Sequence, residues 1–254
     1  MFNALRARIR QGHRTVGFPN RPPVLPERYM GRPQWDATLC RADCDACVQA
    51  CPTAALTRAD GVLRIDLGRC LFCTDCTDAC PTGAIGFTRE YRMATDTREA
   101  LVVNDRPYQL AKALDKQAKA LFGHSLKLRQ VSAGGCNACE ADVNVLTTVV
   151  FDLSRFGIQF VASPRHADGL LITGPVTKNM ELALEKTYEA TPSPKIVVAV
   201  GACAVSGGLF ADHPETHKGA GEIIPVDLYI PGCPPHPIAI LDGLLRLLGV
   251  IEQQ

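Results

Sequence analysis

The chain has 254 residues, twelve cysteines, a formal net charge of +1, and 46% hydrophobic residues. Such a chain buries one or two cores without covalent staples, so its cysteines are not read as a disulfide framework. The near-neutral charge argues against nucleic-acid binding, which needs a basic surface. The longest apolar run, IAILDGLLRLLGVI, is interrupted by Asp242 and Arg246, short of the roughly 20 residues of a spanning helix.

Residues 1–30 begin MFNALRARIRQGHR, where Phe2, Leu5 and Ile9 recur at helical spacing among arginines. The pattern predicts a short basic amphipathic helix. It is either a solvated arginine-rich tail or a helix resting on a membrane surface or an acidic partner. No apolar signal core follows Met1 and no twin-arginine motif is present, so a reducing, cytoplasmic location is expected.

Residues 31–95 contain a repeat. CDACVQACPTAAL (44–56) matches CTDCTDACPTGAI (73–85) at an offset of 29 positions, with the apolar, turn-flanked ADGVLRIDLG between them. The second copy reads C-x-x-C-x-x-C-x-x-x-C-P without a break: Cys70, Cys73, Cys76, Cys80 and Pro81. Two-residue gaps curl the backbone round a cubane cluster with amide hydrogens aimed at its sulfurs. The proline keeps the preceding cysteine out of a helix and turns it toward a second cluster. Crossed ligation therefore predicts one 4Fe-4S cluster on Cys40, Cys44, Cys47 and Cys80, and another on Cys70, Cys73, Cys76 and Cys51. The first copy departs from the pattern, with three residues between Cys40 and Cys44. A one-residue bulge that keeps Cys40 a ligand explains it; a three-iron cluster or an unusual ligand is the alternative. Zinc favours two isolated C-x-x-C pairs over this crossed array.

Residues 96–125, with a polar, helix-prone stretch over 108–121, are read as a connector. From 126 to 254 the strand-like runs LKLRQVS, IQFVAS, GLLITGP, KIVVAVG and VDLYIPG alternate with helical ADVNVLTTVVFDLSRFG, KNMELALEKTYEA and HPIAILDGLLRLLG. This alternation predicts an α/β domain with a mainly parallel sheet after an α+β two-cluster ferredoxin domain. Ligands of such sheets collect at the carboxyl ends of the strands. Cys136, Cys139, Cys203 and Cys233 each follow a predicted strand end, with glycines nearby to admit a bulky group. A redox dithiol would leave Cys203 and Cys233 unexplained, and a structural zinc would favour two tight pairs. A third 4Fe-4S cluster fits best.

Two resemblances cover nearly the whole chain. Residues 1–96, through MFNALRARIRQG, YMGRPQWD, LGRCLFC and CPTGAI, resemble the two-cluster ferredoxin subunit of formate hydrogenlyase, related to the corresponding subunit of complex I. Residues 126–254, through GGCNACE, SPRHADGLLITGPV, VGACAVSGGLF and YIPGCPPHP, resemble the small subunit of energy-converting (group 4) nickel-iron hydrogenases, related to the small iron-sulfur subunit of complex I. What departs is the fusion of two normally separate subunits, and His236 where hydrogenase relatives often carry arginine. The resemblance implies a flavodoxin-like fold for the second half. It also implies a proximal cluster on Cys136, Cys139, Cys203 and Cys233, with a large catalytic subunit packed over it. Complex I members generally have two adjacent cysteines where this chain has Cys136-Asn-Ala-Cys139, which favours the hydrogenase branch.

The expected function is that of an electron-transfer subunit with three 4Fe-4S clusters in a membrane-associated nickel-iron hydrogenase or formate hydrogenlyase-like complex, without substrate chemistry of its own. Its expected partners are the large subunit, membrane subunits, and an electron donor such as a formate dehydrogenase iron-sulfur protein or a ferredoxin. It would lie peripherally on the inner face of the cytoplasmic membrane. The alternative is a complex I-like subunit whose large partner lacks nickel and reduces quinone or another acceptor. A free-standing carrier has no need of the second domain. Glu140, next to a ligand, is a candidate proton relay or potential-setting group, or else an acid favoured by a helix N-terminus. Arg165, His166 and Asp168, after a strand, are candidates to surround the proximal cluster.

Overall fold

The computed structural model describes residues 2–59, 61–104, 106–122 and 125–251. Helix α1 (Phe2–Gln11) has no buried residue. Strand β1 (Pro33–Trp35) follows, then the short α2 (Ala46–Ala50), β2 (Leu56–Ala59), β3 (Val62–Asp66), α3 (Asp75–Asp78), β4 (Ile85–Phe87) and β5 (Val102–Val103). β1 and β4 pair antiparallel, with Pro33 opposite Phe87 and Trp35 opposite Ile85. β2, β3 and β5 form a second antiparallel sheet. The repeat is visible in three dimensions as two copies of loop, short helix and strand, α2–β2 and α3–β4. Where α2 ends, Cys51 before Pro52 is extended at φ −77°, ψ 115°, the conformation that a following proline favours.

In the second half, α4 (Lys116–Phe122), β6 (Leu126–Ser132), α5 (Ala138–Val145), β7 (Ile158–Phe160), β8 (Gly169–Thr173), α6 (Lys178–Ala190), β9 (Ile196–Val200), α7 (Ala202–Ser206), β10 (Leu228–Ile230) and α8 (Pro237–Leu247) build a five-stranded sheet and its covering helices. The strand order is β7-β6-β8-β9-β10 and each pairing is parallel. β8 and β9 are buried at every position, as strands covered on both faces must be. Leu128, Leu171, Val198 and Ile230 pack with α5 and α8 on one face. Leu170, Ile172 and Val197 pack with Leu184 of α6 on the other.

The two halves share their cores. Ala199, Ala204 and Val205 belong to the same apolar cluster as Leu56, Leu63, Ile65 and the cysteines Cys47, Cys70 and Cys76. Thr95 and Tyr229 exchange backbone hydrogen bonds of 3.0 and 2.9 Å, an antiparallel bridge at β10. Helix α8 is buried along its whole length, because Phe18, Ala94 and Ala111 join the core it packs in. It even encloses the Asp242–Arg246 ion pair, at 2.8 Å. Burial pushes the Asp242 carboxyl up, and the Arg246 bond opposes that shift.

Two stretches differ from the sequence expectation. ADVNVLTTVVFDLSRFG does not form one helix: α5 stops at Val145, and a 3-10 turn spans Leu153–Phe156. The β-branched run at 147–150 weakens helix there, and the carbonyls of Val149 and Val150 are taken by Thr15 and Val16 of the N-terminal segment. In the helix-prone 108–121, only α4 is helical. Ahead of it, Ala111 bonds Ala94 and Leu114 bonds Leu247, so tertiary pairing outweighs local propensity.

Candidate metal centres

Cys40, Cys44, Cys47 and Cys80 line one small cavity together with Arg58. Cys51, Cys73 and Cys76 all lie within electrostatic reach of the buried Cys70. Cys136, Cys203 and Cys233 surround Cys139 in the same way. All twelve cysteines are free thiols; these neighbourhoods associate them four by four, although no set of three or more side chains among the described residues is arranged to hold a single metal ion. The last four follow β6, β9 and β10 at the carboxyl edge of the parallel sheet.

The first two groups carry matched local bonds. The Ala55 amide donates to Cys51 Sγ at 3.2 Å and the Ala84 amide to Cys80 Sγ at 3.3 Å. Thr53 and Thr82 hydroxyls lie 3.8 and 3.7 Å from the same sulfurs. Ala54 and Gly83, next to these contacts, share the left-handed conformation, with φ of 49° and 63°. Amides turned toward sulfur are what an iron-sulfur cluster asks of its loop. Burial would raise the Cys80 thiol, but backbone amides of Ile85, Thr82 and Ala84 outweigh it and bring the group down to about 7. Burial pushes Cys70 up to about 12 and Cys76 to about 11.

At the third group the backbone leaves room beside the thiols. A Cβ on Gly201 would lie 2.5 Å from Cys139 Sγ, and one on Gly208 would lie 3.0 Å from Cys203 Sγ. Both glycines have positive φ, 91° and 55°, open to glycine at no cost. Burial, followed by neighbouring thiolates, raises Cys139 and takes Cys203 to about 11. A cluster of bare thiolates is unfavourable there, whereas four thiolates around a cationic iron core are not. Donor type, number and surrounding space thus fit 4Fe-4S clusters.

Glu140, in the first turn of α5, is buried and accepts 2.7 Å hydrogen bonds at Oε1 from the hydroxyls of Ser132 and Thr173, at the ends of β6 and β8. Burial alone would raise its carboxyl, but these hydroxyls hold it below the usual carboxylate range. Of Arg165, His166 and Asp168, the structure places Asp168 away from the expected edge of the sheet. Arg165 and His166 are exposed in the Pro164–His166 turn. Asp168 Oδ2 accepts from the Lys127 amide at 2.7 Å, and its carbonyl accepts from Ile196. Lys127 and Ile196 stand at the beginnings of β6 and β9, so Asp168 closes the amino edge of the sheet, opposite the cysteines. β7 pairs only with the first three residues of β6, so the loop after it never leaves the amino end of the sheet, which the register of the strands reveals.

One contact goes beyond the sequence expectation: Arg58 Nη2 lies 3.6 Å from Cys40 Sγ. Its signal is present in the repeat, because the equivalent position in the second copy is Phe87.

The chain matches the family described as NADH ubiquinone oxidoreductase, 20 kDa subunit, over residues 136–247, and the 4Fe-4S dicluster domain over residues 39–84. It is 44% identical over 140 residues to a probable membrane-bound hydrogenase subunit mbhJ of Pyrococcus furiosus, covering 54% of this chain and 84% of that protein. It is 47% identical over 125 residues to formate hydrogenlyase subunit 7 of Escherichia coli, spanning 49% of each. Over 120 residues it is 50% identical to an NADH-quinone oxidoreductase subunit of Citrifermentans bemidjiense, covering 47% of this chain and 70% of that one.

Proposed function

The chain belongs to the family of the 20 kDa subunit of NADH ubiquinone oxidoreductase, and on that basis we propose that it is the electron-transfer subunit of a hydrogenase-like oxidoreductase complex, carrying three 4Fe-4S clusters. Bound clusters supply one-electron carriers. The chain holds them on Cys40, Cys44, Cys47 and Cys80; on Cys51, Cys70, Cys73 and Cys76; and on Cys136, Cys139, Cys203 and Cys233.

The observation that supports this reading is that neighbouring thiol groups come close enough to influence one another. Cys47 of the first acts electrostatically on Cys76 of the second, and Cys73 of the second acts on Cys233 of the third. Adjacent groups give electrons a continuous path, and the shared core fixes their spacing. We divide the chain into an N-terminal segment (1–30), a two-cluster domain (31–95), a connector (96–125) and a flavodoxin-like domain (126–254). The order β7-β6-β8-β9-β10, which is 2-1-3-4-5 within that half, supports the last assignment.

The large catalytic subunit packs over the third group, where Cys136 and Cys233 are exposed. Leu209 and Phe210, in the turn after Cys203, also present bare apolar surface there, 58% and 46% exposed. Electrons reach the far end from a donor such as a formate dehydrogenase iron-sulfur protein or a ferredoxin. Identity does not separate the two branches, and the two-residue gap between Cys136 and Cys139 favours a nickel-iron partner over a complex I-like, quinone-reducing one. Glu140 ties α5 to the strand ends through Ser132 and Thr173, beside the third group, where a proton relay or a potential-setting charge would stand. No helix among the described residues is long and apolar enough to cross a membrane, and the chain sits on the inner membrane face through membrane subunits of its complex.

Anaerobic purification of the complex tests the proposal. Three cubanes require about twelve irons per chain, with nickel in a co-purified large subunit and hydrogen uptake or evolution. Fewer than about ten irons would sink the three-cluster reading. A nickel-free complex that reduces quinone would establish the second branch instead.

A further inference from the structure

Arg58 extends from β2 across the first cysteine group. Its side chain is only 13% exposed and is fixed at four points. Nε bonds Asp45 Oδ1 at 3.1 Å, Nη1 bonds the Gly61 carbonyl at 3.0 Å, and Nη2 bonds the Cys44 carbonyl at 2.8 Å and Cys40 Sγ at 3.6 Å. Asp45 is 53% exposed, so water screens it more than it screens the guanidinium facing the sulfur.

The internal repeat supplies a reference. Cys70 opens the second copy as Cys40 opens the first, and its sulfur accepts instead from a neutral backbone donor, the Phe72 amide, at 3.3 Å. Where the first copy has Arg58, the second has Phe87, whose ring lies 6.2 Å from that of Phe72. The opening sulfur of one group therefore meets a fixed cation, and that of its twin meets a neutral amide, with an aromatic ring at the position the arginine would take.

Resting on the ligand assignment above, we propose that Arg58 makes the two ferredoxin-type sites unequal, setting the Cys40 group as the one that is reduced first. Reduction adds one electron and one negative charge, with no bond or proton exchanged. A cation hydrogen-bonded to a ligand sulfur stabilises that added charge, and an apolar surround disfavours it. The three-residue gap after Cys40 then has a purpose: the turn in which the Cys44 amide donates to the Arg41 carbonyl accompanies a sulfur placed against the guanidinium. The outer end of the path becomes the place where an arriving electron rests.

The test is an anaerobic redox titration of the intact complex followed by paramagnetic resonance, reading the signal that Cys40→Ala removes. Arg58→Gln lowers that midpoint by about a tenfold change in equilibrium constant, or about 59 mV for one electron. It leaves the signal of the Cys70 group in place. Asp45→Asn, at an exposed position, removes the opposing charge and shifts the same midpoint upward. An unchanged midpoint in iron-replete Arg58→Gln overturns the proposal. If Arg58→Gln loses iron, Asp45→Asn decides, and no upward shift overturns it. A Cys40→Ala chain that keeps all its iron would refute the ligand assignment itself, independently of Arg58.

Discussion

At the scale of single residues, the thiols depend on what the backbone omits. Gly201 combines a positive φ with a missing Cβ that would otherwise lie 2.5 Å from Cys139 Sγ. Alanine there meets both backbone strain and a clash with a ligand sulfur. Gly201→Ala is expected to lose the third cluster, about four irons of about twelve, while the first two groups keep theirs. Iron analysis with paramagnetic resonance checks this, and full iron occupancy would show that the space beside Cys139 is dispensable. The cysteine motifs themselves are legible in the sequence, because the spacing that would suit a cluster is local. The glycine's role is only half legible: its nearness to cysteine is plain, but the sulfur it makes room for lies 62 positions away. Arg58 shows the same limit, since a contact between residues 18 apart leaves no local mark unless the two repeats are compared.

Among the elements, α1 stands apart. Phe2, Leu5 and Ile9 are 84%, 59% and 74% exposed and fall within about 60° of one another at roughly 100° per residue. Arg6 and Arg10 flank that stripe on one side and Arg8 on the other, and no acidic residue occurs before Glu27. Arginines bracketing a narrow apolar stripe suit an anionic lipid surface, where the stripe enters the acyl boundary and the guanidinium groups meet headgroups. The chain is expected to cosediment with phosphatidylglycerol vesicles and not with phosphatidylcholine vesicles. The triple variant Phe2→Ser, Leu5→Ser, Ile9→Ser should lose at least tenfold in that binding, since each large apolar side chain contributes about 1.5–3 kcal/mol on burial. Equal binding by the variant would assign the helix to an acidic protein instead. Periodicity within ten residues is enough to foresee this helix. The same reasoning overstates the helix after Cys139, where carbonyls of Val149 and Val150 are claimed by a segment more than 130 residues earlier.

For the whole molecule, the decisive fact is that the fused halves do not merely adjoin. The Ser206 hydroxyl donates to the Gly68 carbonyl at 2.7 Å, a Cβ on Gly243 of α8 would come within 2.8 Å of Ala94, and Arg155 donates to the Phe18 carbonyl at 2.7 Å. A chain starting at residue 96 would uncover the outer face of α8 with its Asp242–Arg246 pair. It is expected to aggregate or to show rapid hydrogen exchange throughout α8 relative to the full chain. A soluble fragment holding about four irons would show instead that the halves are independent.

Ligand spacing and strand-helix alternation act over short distances along the chain, so the cysteine groups, the order of their domains and the parallel sheet can all be read from the residues alone. Three things cannot: which sulfur faces Arg58, that Asp168 belongs to the amino edge of the sheet, and that the segments at 12–30 and 106–115 contribute to the core of the second half. These rest on contacts between residues far apart in sequence, which form only where the packing of the two halves brings them together.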